Sequence, residues 1–323
     1  MGSGVLECDV AFTKDRQLVC RHAQCDLHTT TNIVAIPELN AKCTQPFQPA
    51  GNGTDASAKC CTSDFTVEEF KTLCAKMDSF NASATTPEDF LGGGPDWRTE
   101  LYATCGEVLT HHEHIALIEG LGLKFTPELK TPEVEMPFEG DYTQEMYAQQ
   151  MVDDYKQAGI DPSRVWIQSF LYDDVLYWLE AEPEFAKQAV WLDETGETPE
   201  TFETAIENLD KVKEDGVQIV APPINYLLTA ENGKIVPSRY ATRCNELGLE
   251  IIAWSLDRSG PLADVEENED YYYNTFAEAV NKDGDLYVVV DVLAREIGIS
   301  KLFTDWSATV TYYANCFEID LVN

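Results

Sequence analysis

The chain has 323 residues, 44% of them hydrophobic, and carries 22 basic against 57 acidic side chains, a formal net charge of −35. That length and apolar content allow a sizeable core and exclude a disordered chain. The charge repels phosphate backbones and anionic bilayers, which argues against nucleic-acid or membrane-surface partners. No stretch approaches the roughly 20 apolar residues a membrane helix needs, so no membrane span is expected.

Met1-Gly2-Ser3-Gly4 has neither the basic start nor the apolar run of a signal peptide. Val5–Phe12 alternates, with Leu6, Cys8, Val10 and Phe12 on one side and Glu7, Asp9 and Ala11 on the other, which is strand periodicity. Two acids at i and i+2 on one face repel each other, and if the strand is buried a cation or strong donors must compensate. On its own the pair reads equally well as an exposed edge strand. Leu18–Arg21 follows as a side hairpin, then His22, with His28 in the loop after it.

Ten cysteines are many for a cytosolic enzyme, and none shows the paired C-x-x-C spacing of a zinc site. Secretion or a periplasmic location with disulfides is the better account, with the pairing left open. Five of them, Cys43, Cys60, Cys61, Cys74 and Cys105, lie in a segment expected at 40–108 as a stapled insertion within one domain spanning 1–323. Asn52-Gly53-Thr54 and Asn81-Ala82-Ser83 in the same segment match the short N-glycosylation pattern.

Beyond the insertion, strand-like and helix-like runs alternate. A helix is expected near His112–Leu121, with His111, His112 and His114 read as solvated or simply N-terminal on it rather than as a metal cluster, since adjacent helical residues point apart. A strand at 124–131 follows, placing Glu128 and Lys130 on one face, then a helix at Gln144–Ala158. Next come strand Val165–Phe170, helix Val175–Lys187 interrupted by Pro183, strand Ala189–Leu192, helix Pro199–Asp215 and strand Val217–Ala221. Helix Pro237–Leu247, strand Leu249–Leu256, helix Thr275–Ile297 broken at Gly284, and strand Ser300–Thr304 complete the pattern.

Such alternation implies parallel strands with helical crossovers. Strands at Leu6, Phe125, Ile167, Val190, Ile219, Ile252 and Leu302 make seven, one short of a (β/α)8 TIM barrel. An open doubly wound sheet is the runner-up, although no glycine-rich phosphate loop follows any strand. In a barrel, catalytic groups gather at the carboxyl ends of the strands. That places Glu7, Asp9, His22, Glu128 and Lys130 at the mouth and nominates Gln168, Trp254 and Trp306 as further substrate contacts, though residues of these types are more often core or rim packing.

Glu7 and Asp9 in "LECDVAFTKD", His22 in "LVCRHAQCDLHTTTN" and Glu128 and Lys130 in "PELK" together resemble the glycerophosphodiester phosphodiesterase family. "FTDW" at 303–306 falls where that family closes its last strand. The resemblance implies the barrel of that family and hydrolysis of a glycerophosphodiester to glycerol 3-phosphate and an alcohol. It further implies a divalent ion on Glu7, Asp9 and Glu128, calcium or magnesium given all-oxygen ligands. Lys130 would add a positive contact to the substrate phosphate, His22 would act as general acid/base, and His28, where the family often has a basic residue, would touch the phosphate.

Two features depart from the family pattern. Ala23 stands where an acid usually follows the second histidine, with Asp26 nearby in the loop, and no histidine precedes Glu7 to supply the His-Arg motif. The strand count and this gap agree on one expectation: a first βα unit, with any leader, belongs ahead of Glu7 in the natural protein. Lacking one proton-transfer group typically costs about 10²–10⁴-fold in rate. The alternative reading is a non-catalytic metal-binding or assembly protein on the same barrel, whose open sheet edges favour a homo-oligomer or a partner chain. Glu7→Gln or Glu128→Gln is expected to abolish calcium binding in calorimetric titration, and unchanged affinity in both would refute the assigned ligands.

Overall fold

A computed structural model describes residues 2–98 and 105–317. The chain divides into two compact units, residues 5–165 and residues 1–4 with 166–323. Residues 99–104 of the expected insertion lie outside the described part.

In the first unit, strand β1 (Val5–Phe12) pairs antiparallel with β2 (Leu18–Cys20) and parallel with β3 (Lys124–Leu129). The alternation of β1 is realised in its middle, with Cys8 and Val10 buried while Glu7 is exposed and Asp9 half-buried, but Leu6 is only half-buried and Ala11, expected on the polar side, is buried like Phe12. The β1–β3 register sets Glu7 opposite Thr126 and Asp9 opposite Glu128. The helix before β3, α1 (His111–Leu121), starts where its sequence dictates. Thr110 accepts from the Glu113 amide, Glu113 reaches back to the Thr110 amide, and Gly122 closes the helix at φ 68°, a left-handed conformation that glycine adopts without strain. Helix α2 (Gln144–Gln157) is capped by Thr143 and buries Tyr147, Met151 and Tyr155. Phe12 meets Phe138, Tyr142 and Tyr147 at centroid distances of 5.2, 5.2 and 5.0 Å, which seals β1 against α2.

The cysteine-rich segment has an apolar cluster that includes Leu27, Ile33, Phe65, Phe70 and Phe90, and it reaches back to Val19 on β2. Its elements are short helical turns and one small hairpin (Gln45–Gln48 with Ser57–Lys59), too little regular structure to hold without cross-links. Disulfides Cys25–Cys61, Cys43–Cys60 and Cys74–Cys105 provide them. A fourth, Cys8–Cys20, joins β1 to β2.

In the second unit, β4 (Gln168–Ser169), β5 (Val190–Leu192), β6 (Ile219–Ala221), β7 (Glu250–Ala253) and β8 (Lys301–Leu302) lie parallel and in sequential order. Helices α3 (Tyr172–Ala181), α4 (Pro199–Glu214) and α5 (Arg239–Leu247) follow the first three of these strands, and Pro183 ends α3 as expected by opening a separate short turn.

All seven strands read from the sequence are therefore present. Two expectations fail in this unit. A hairpin, Leu228–Glu231 with Lys234–Pro237, precedes α5; its Asn232-Gly233 turn has φ of 53° and 71°, the two-residue loop that an Asn-Gly pair signals. The helix expected over Thr275–Ile297 is regular only from Leu286 onward. Before it the Thr275 hydroxyl donates to the carbonyls of Asn225 and Leu228, and the Tyr273 hydroxyl donates to Leu256, so side-chain bonds hold this backbone in an irregular path.

Replacing Cys8 and Cys20 together by alanine removes a short-loop cross-link and is expected to destabilise the first unit by about 2–4 kcal/mol in urea denaturation. An unchanged transition would show that the pairing of β1 with β2 does not depend on it.

Candidate metal and phosphate site

Strand register builds the site. Asp9 and Glu128 face each other across β1 and β3, and Glu7 lies two residues before Asp9 on the same face. One carboxylate oxygen from each of the three lies within 4.8 Å of the others. Lys130, just past β3, has its backbone amide on the Val10 carbonyl at 3.0 Å, and this fixes where its side chain starts. Its Nζ stands 2.6 Å from Glu128 Oε1 and 3.6 Å from Asp9 Oδ1.

The electrostatics of the cluster are unequal. Burial and the neighbouring Asp9 charge push the Glu128 carboxyl up to about 8, although Lys130 pulls the other way. Burial works against the Lys130 ammonium, but Asp9, Glu128 and Glu7 together lift it above its ordinary value. One lysine thus serves three carboxylates. Such a crowded, all-oxygen donor set suits a hard divalent cation, and Glu7, Asp9 and Glu128 are the residues that would hold it.

Loop residues complete the surroundings. The Arg21 amide donates to the Asp9 carbonyl at 2.7 Å, which brings Arg21 and the exposed His22 beside the carboxylate strand. The Cys8–Cys20 disulfide lies between these parts: Cys8 separates Glu7 from Asp9, and Cys20 immediately precedes Arg21. Arg21 is the site neighbour that the sequence reading passed over. Its guanidinium bonds the Cys20 carbonyl and the Thr30 hydroxyl at 2.7 and 3.1 Å; burial lowers it, while Asp26 and Asp9 hold it charged.

Asp26 is buried and accepts from the Ala23 amide at 3.2 Å; burial lifts its carboxyl to about 6 against the pull of Arg21. An acid therefore stands in this loop although Ala23 does not provide it. His28 is turned toward the insertion, where its Nδ1 accepts from the Cys60 amide at 3.5 Å, and burial lowers its basicity. Glu133, in the loop after β3, ties the parts together by accepting from the Cys25 amide at 3.1 Å and pairing with Lys59 at 3.3 Å.

The histidine run on α1 takes no part as a metal cluster. His112 is exposed, but His111 and His114 are buried, contrary to the solvated start expected for them. His111 Nδ1 meets Asp154 Oδ2 at 2.8 Å, and His114 bonds the Glu7 backbone from beneath β1. Burial inside the β1–α1–α2 packing, with a carboxylate partner on α2, is the reason.

The remaining nominees belong to the second unit. Gln168 is fully buried on β4. Trp254 follows β7 half-buried, its indole Nε1 donating to the Ala221 carbonyl at 2.7 Å. Trp306 is 37% exposed, and Asp257 fastens its segment through the Thr304 hydroxyl at 2.6 Å and the amides of Asp305 and Trp306 at 3.1 and 3.3 Å.

Parallel strands joined by helices, with three carboxylates and a lysine clustered on two adjacent ones, define a protein of the α/β-barrel class. The chain belongs to the glycerophosphoryl diester phosphodiesterase family, which matches residues 1–307. It is 46% identical over 245 residues to an Arthroderma benhamiae protein named "Extracellular protein", covering 75% of this chain and all of that one. A Silicibacter pomeroyi structure described as a glycerophosphoryl diester phosphodiesterase aligns at TM-score 0.61 and 15% identity, over 99% of this chain and 85% of its own. An Oleispira antarctica phosphodiesterase in complex with its product sn-glycerol-3-phosphate aligns at TM-score 0.54 and 13% identity, over 97% and 86%. These likenesses establish the fold, the barrel type of this family.

Because the raised Glu128 carboxyl is easier to protonate in the folded protein than in the unfolded chain, its contribution to stability is full below the ordinary glutamate range and is lost as pH rises through about 8. Metal-free Glu128→Gln is therefore expected to melt above the wild type at pH 9 and close to it at pH 5, by differential scanning calorimetry in chelator. A lower melting temperature at pH 9 would show that the ionised carboxylate is stabilised by Lys130 after all.

Proposed function

We propose that this protein hydrolyses glycerophosphodiesters to glycerol 3-phosphate and an alcohol, with Glu7, Asp9 and Glu128 holding calcium or magnesium. The observation that carries the reading is the convergence of those three carboxylates within 4.8 Å of one another beside Lys130. Bound there, a divalent ion would neutralise phosphate charge and stabilise the charge gained in the transition state.

The protein's own groups do the rest. With the carboxylates engaged, Lys130 turns its positive charge to a phosphate oxygen. Arg21 anchors the loop that presents His22. His22 moves the proton: water adds to phosphorus, the phosphorus–alkoxide bond breaks, and the departing oxygen leaves protonated. His28, held by the Cys60 amide, is a further candidate contact for the substrate. Four disulfides and the relative named as extracellular support secretion.

In protein isolated from the culture medium of its native host, His22→Gln is expected to lower glycerol 3-phosphate release by about 10²–10⁴-fold while calcium affinity stays within about twofold. Full activity in the variant would remove His22 from proton transfer. Lost calcium affinity would place it among the metal ligands instead.

A further inference from the structure

The two N-glycosylation patterns in the sequence, Asn52-Gly53-Thr54 and Asn81-Ala82-Ser83, occupy unlike places in the cysteine-rich segment. Asn52 sits in the loop between the strands of the small hairpin, Gln45–Gln48 and Ser57–Lys59, whose base the Cys43–Cys60 disulfide ties together. Gly51 and Thr54 exchange backbone hydrogen bonds at 3.0 and 2.9 Å, which leaves Asn52 and Gly53 as a two-residue tip with φ of 51° and 82°. Residues 51–55 are all exposed, and a side-chain carbon added at Gly51 or Gly53 would meet nothing within 4 Å beyond its chain neighbours. The tip stands in open solvent.

Asn81 is placed differently. Residues 82–84 form the bed on which the Asn52 loop lies: the Ala50 amide donates to the Ala84 carbonyl and the Ala56 amide to the Ala82 carbonyl, both at 2.8 Å. The Asn81 backbone amide donates to the Phe90 carbonyl at 3.0 Å, and its side-chain Oδ1 accepts from the Ser83 amide at 3.0 Å. Gly93 packs so closely that a side-chain carbon there would lie 2.9 Å from the Asn81 backbone nitrogen. Asn81 is half-buried and hemmed in by these contacts.

N-linked sugar is transferred to a chain before it folds, so the sequence sets where it can be added and the fold sets where so bulky and polar a group can be carried. We propose that Asn52 is N-glycosylated in the secreted protein and that Asn81 is not. The proposal rests on the secretion proposed above, which four disulfides support, and is independent of the phosphodiesterase chemistry. In the transfer, the bond between sugar C1 and the diphosphate oxygen of a polyprenyl-diphosphate-linked oligosaccharide breaks. C1 bonds to Asn52 Nδ2, and one amide proton leaves with the departing diphosphate. Asn52 supplies none of the backbone bonds that join its loop to residues 82–84, so the fold carries the sugar without rearrangement.

The test takes protein from the culture medium of its native host and treats it with a peptide-N-glycosidase in heavy-oxygen water, beside a control without enzyme. The intact mass should fall. Because the enzyme converts a sugar-bearing Asn to Asp, the heavy-oxygen label should appear at residue 52 and not at residue 81. Thr54→Ala, which keeps Asn52 but removes the acceptor pattern, should abolish the mass change, whereas Thr54→Ser should retain it. Asn81→Gln should leave it unaltered.

No mass change in the secreted protein, or a label at residue 81, would overturn the proposal and leave the secretion intact. A mass change that survives in Thr54→Ala would overturn it too. Protein found only inside the cells would refute the secretion on which the proposal rests.

Discussion

The facing of Asp9 and Glu128 across two parallel strands is the constraint on which the rest of the site depends. Parallel pairing in this register sets the two carboxylates side by side, and burial of Glu128 removes water that would otherwise screen them. Two like charges held this close are tolerable only through proton uptake, a shared lysine or a bound cation, and the site has the means for each. Glu128 takes up a proton readily, Lys130 sits 2.6 Å from it, and Glu7 adds a third carboxylate from the same face of β1 as Asp9. The first unit therefore crowds carboxylates where a bound cation would relieve their repulsion.

The cysteines show how that crowding is contained. The Cys8–Cys20 bond couples the strand that carries Glu7 and Asp9 to the one that leads into Arg21 and His22. Cys43–Cys60 and Cys74–Cys105 lie in the insertion, whose short turns bury Phe65, Phe70 and Phe90, and Cys25–Cys61 ties it to the loop after β2. Lys59 and the Cys60 amide, both from that insertion, contact Glu133 and His28 beside the site. The insertion is therefore tied to β2 and to the loop after β3 and is not a detached appendage.

Much of this was legible in the sequence because period-two alternation and helix caps are local signals. The alternation over Glu7–Val10 announced which of its side chains would be buried, and Thr110 with Glu113 and Gly122 bounded a helix. The carboxylate trio was readable only because Glu-x-Asp and Glu-x-Lys are themselves strand spacings. Arg21 was missed since its role comes from a backbone bond to Asp9 that no spacing encodes. His111 and His114 were misplaced because their burial is decided by α2 and β1, more than 30 and 100 residues away. The hairpin at Asn232-Gly233 carried a usable local signal that went unread. The irregular path before Leu286 had none, being fixed by Thr275 and Tyr273 bonding to distant carbonyls.

Anomalous diffraction from crystals soaked in manganese, an oxygen-preferring substitute for calcium or magnesium, tests the central claim most directly. The account predicts one strong peak coordinated by carboxylate oxygens of Glu7, Asp9 and Glu128, with Lys130 Nζ displaced from Glu128. No peak at this position at saturating manganese, with Lys130 still closing the ion pair, would contradict it.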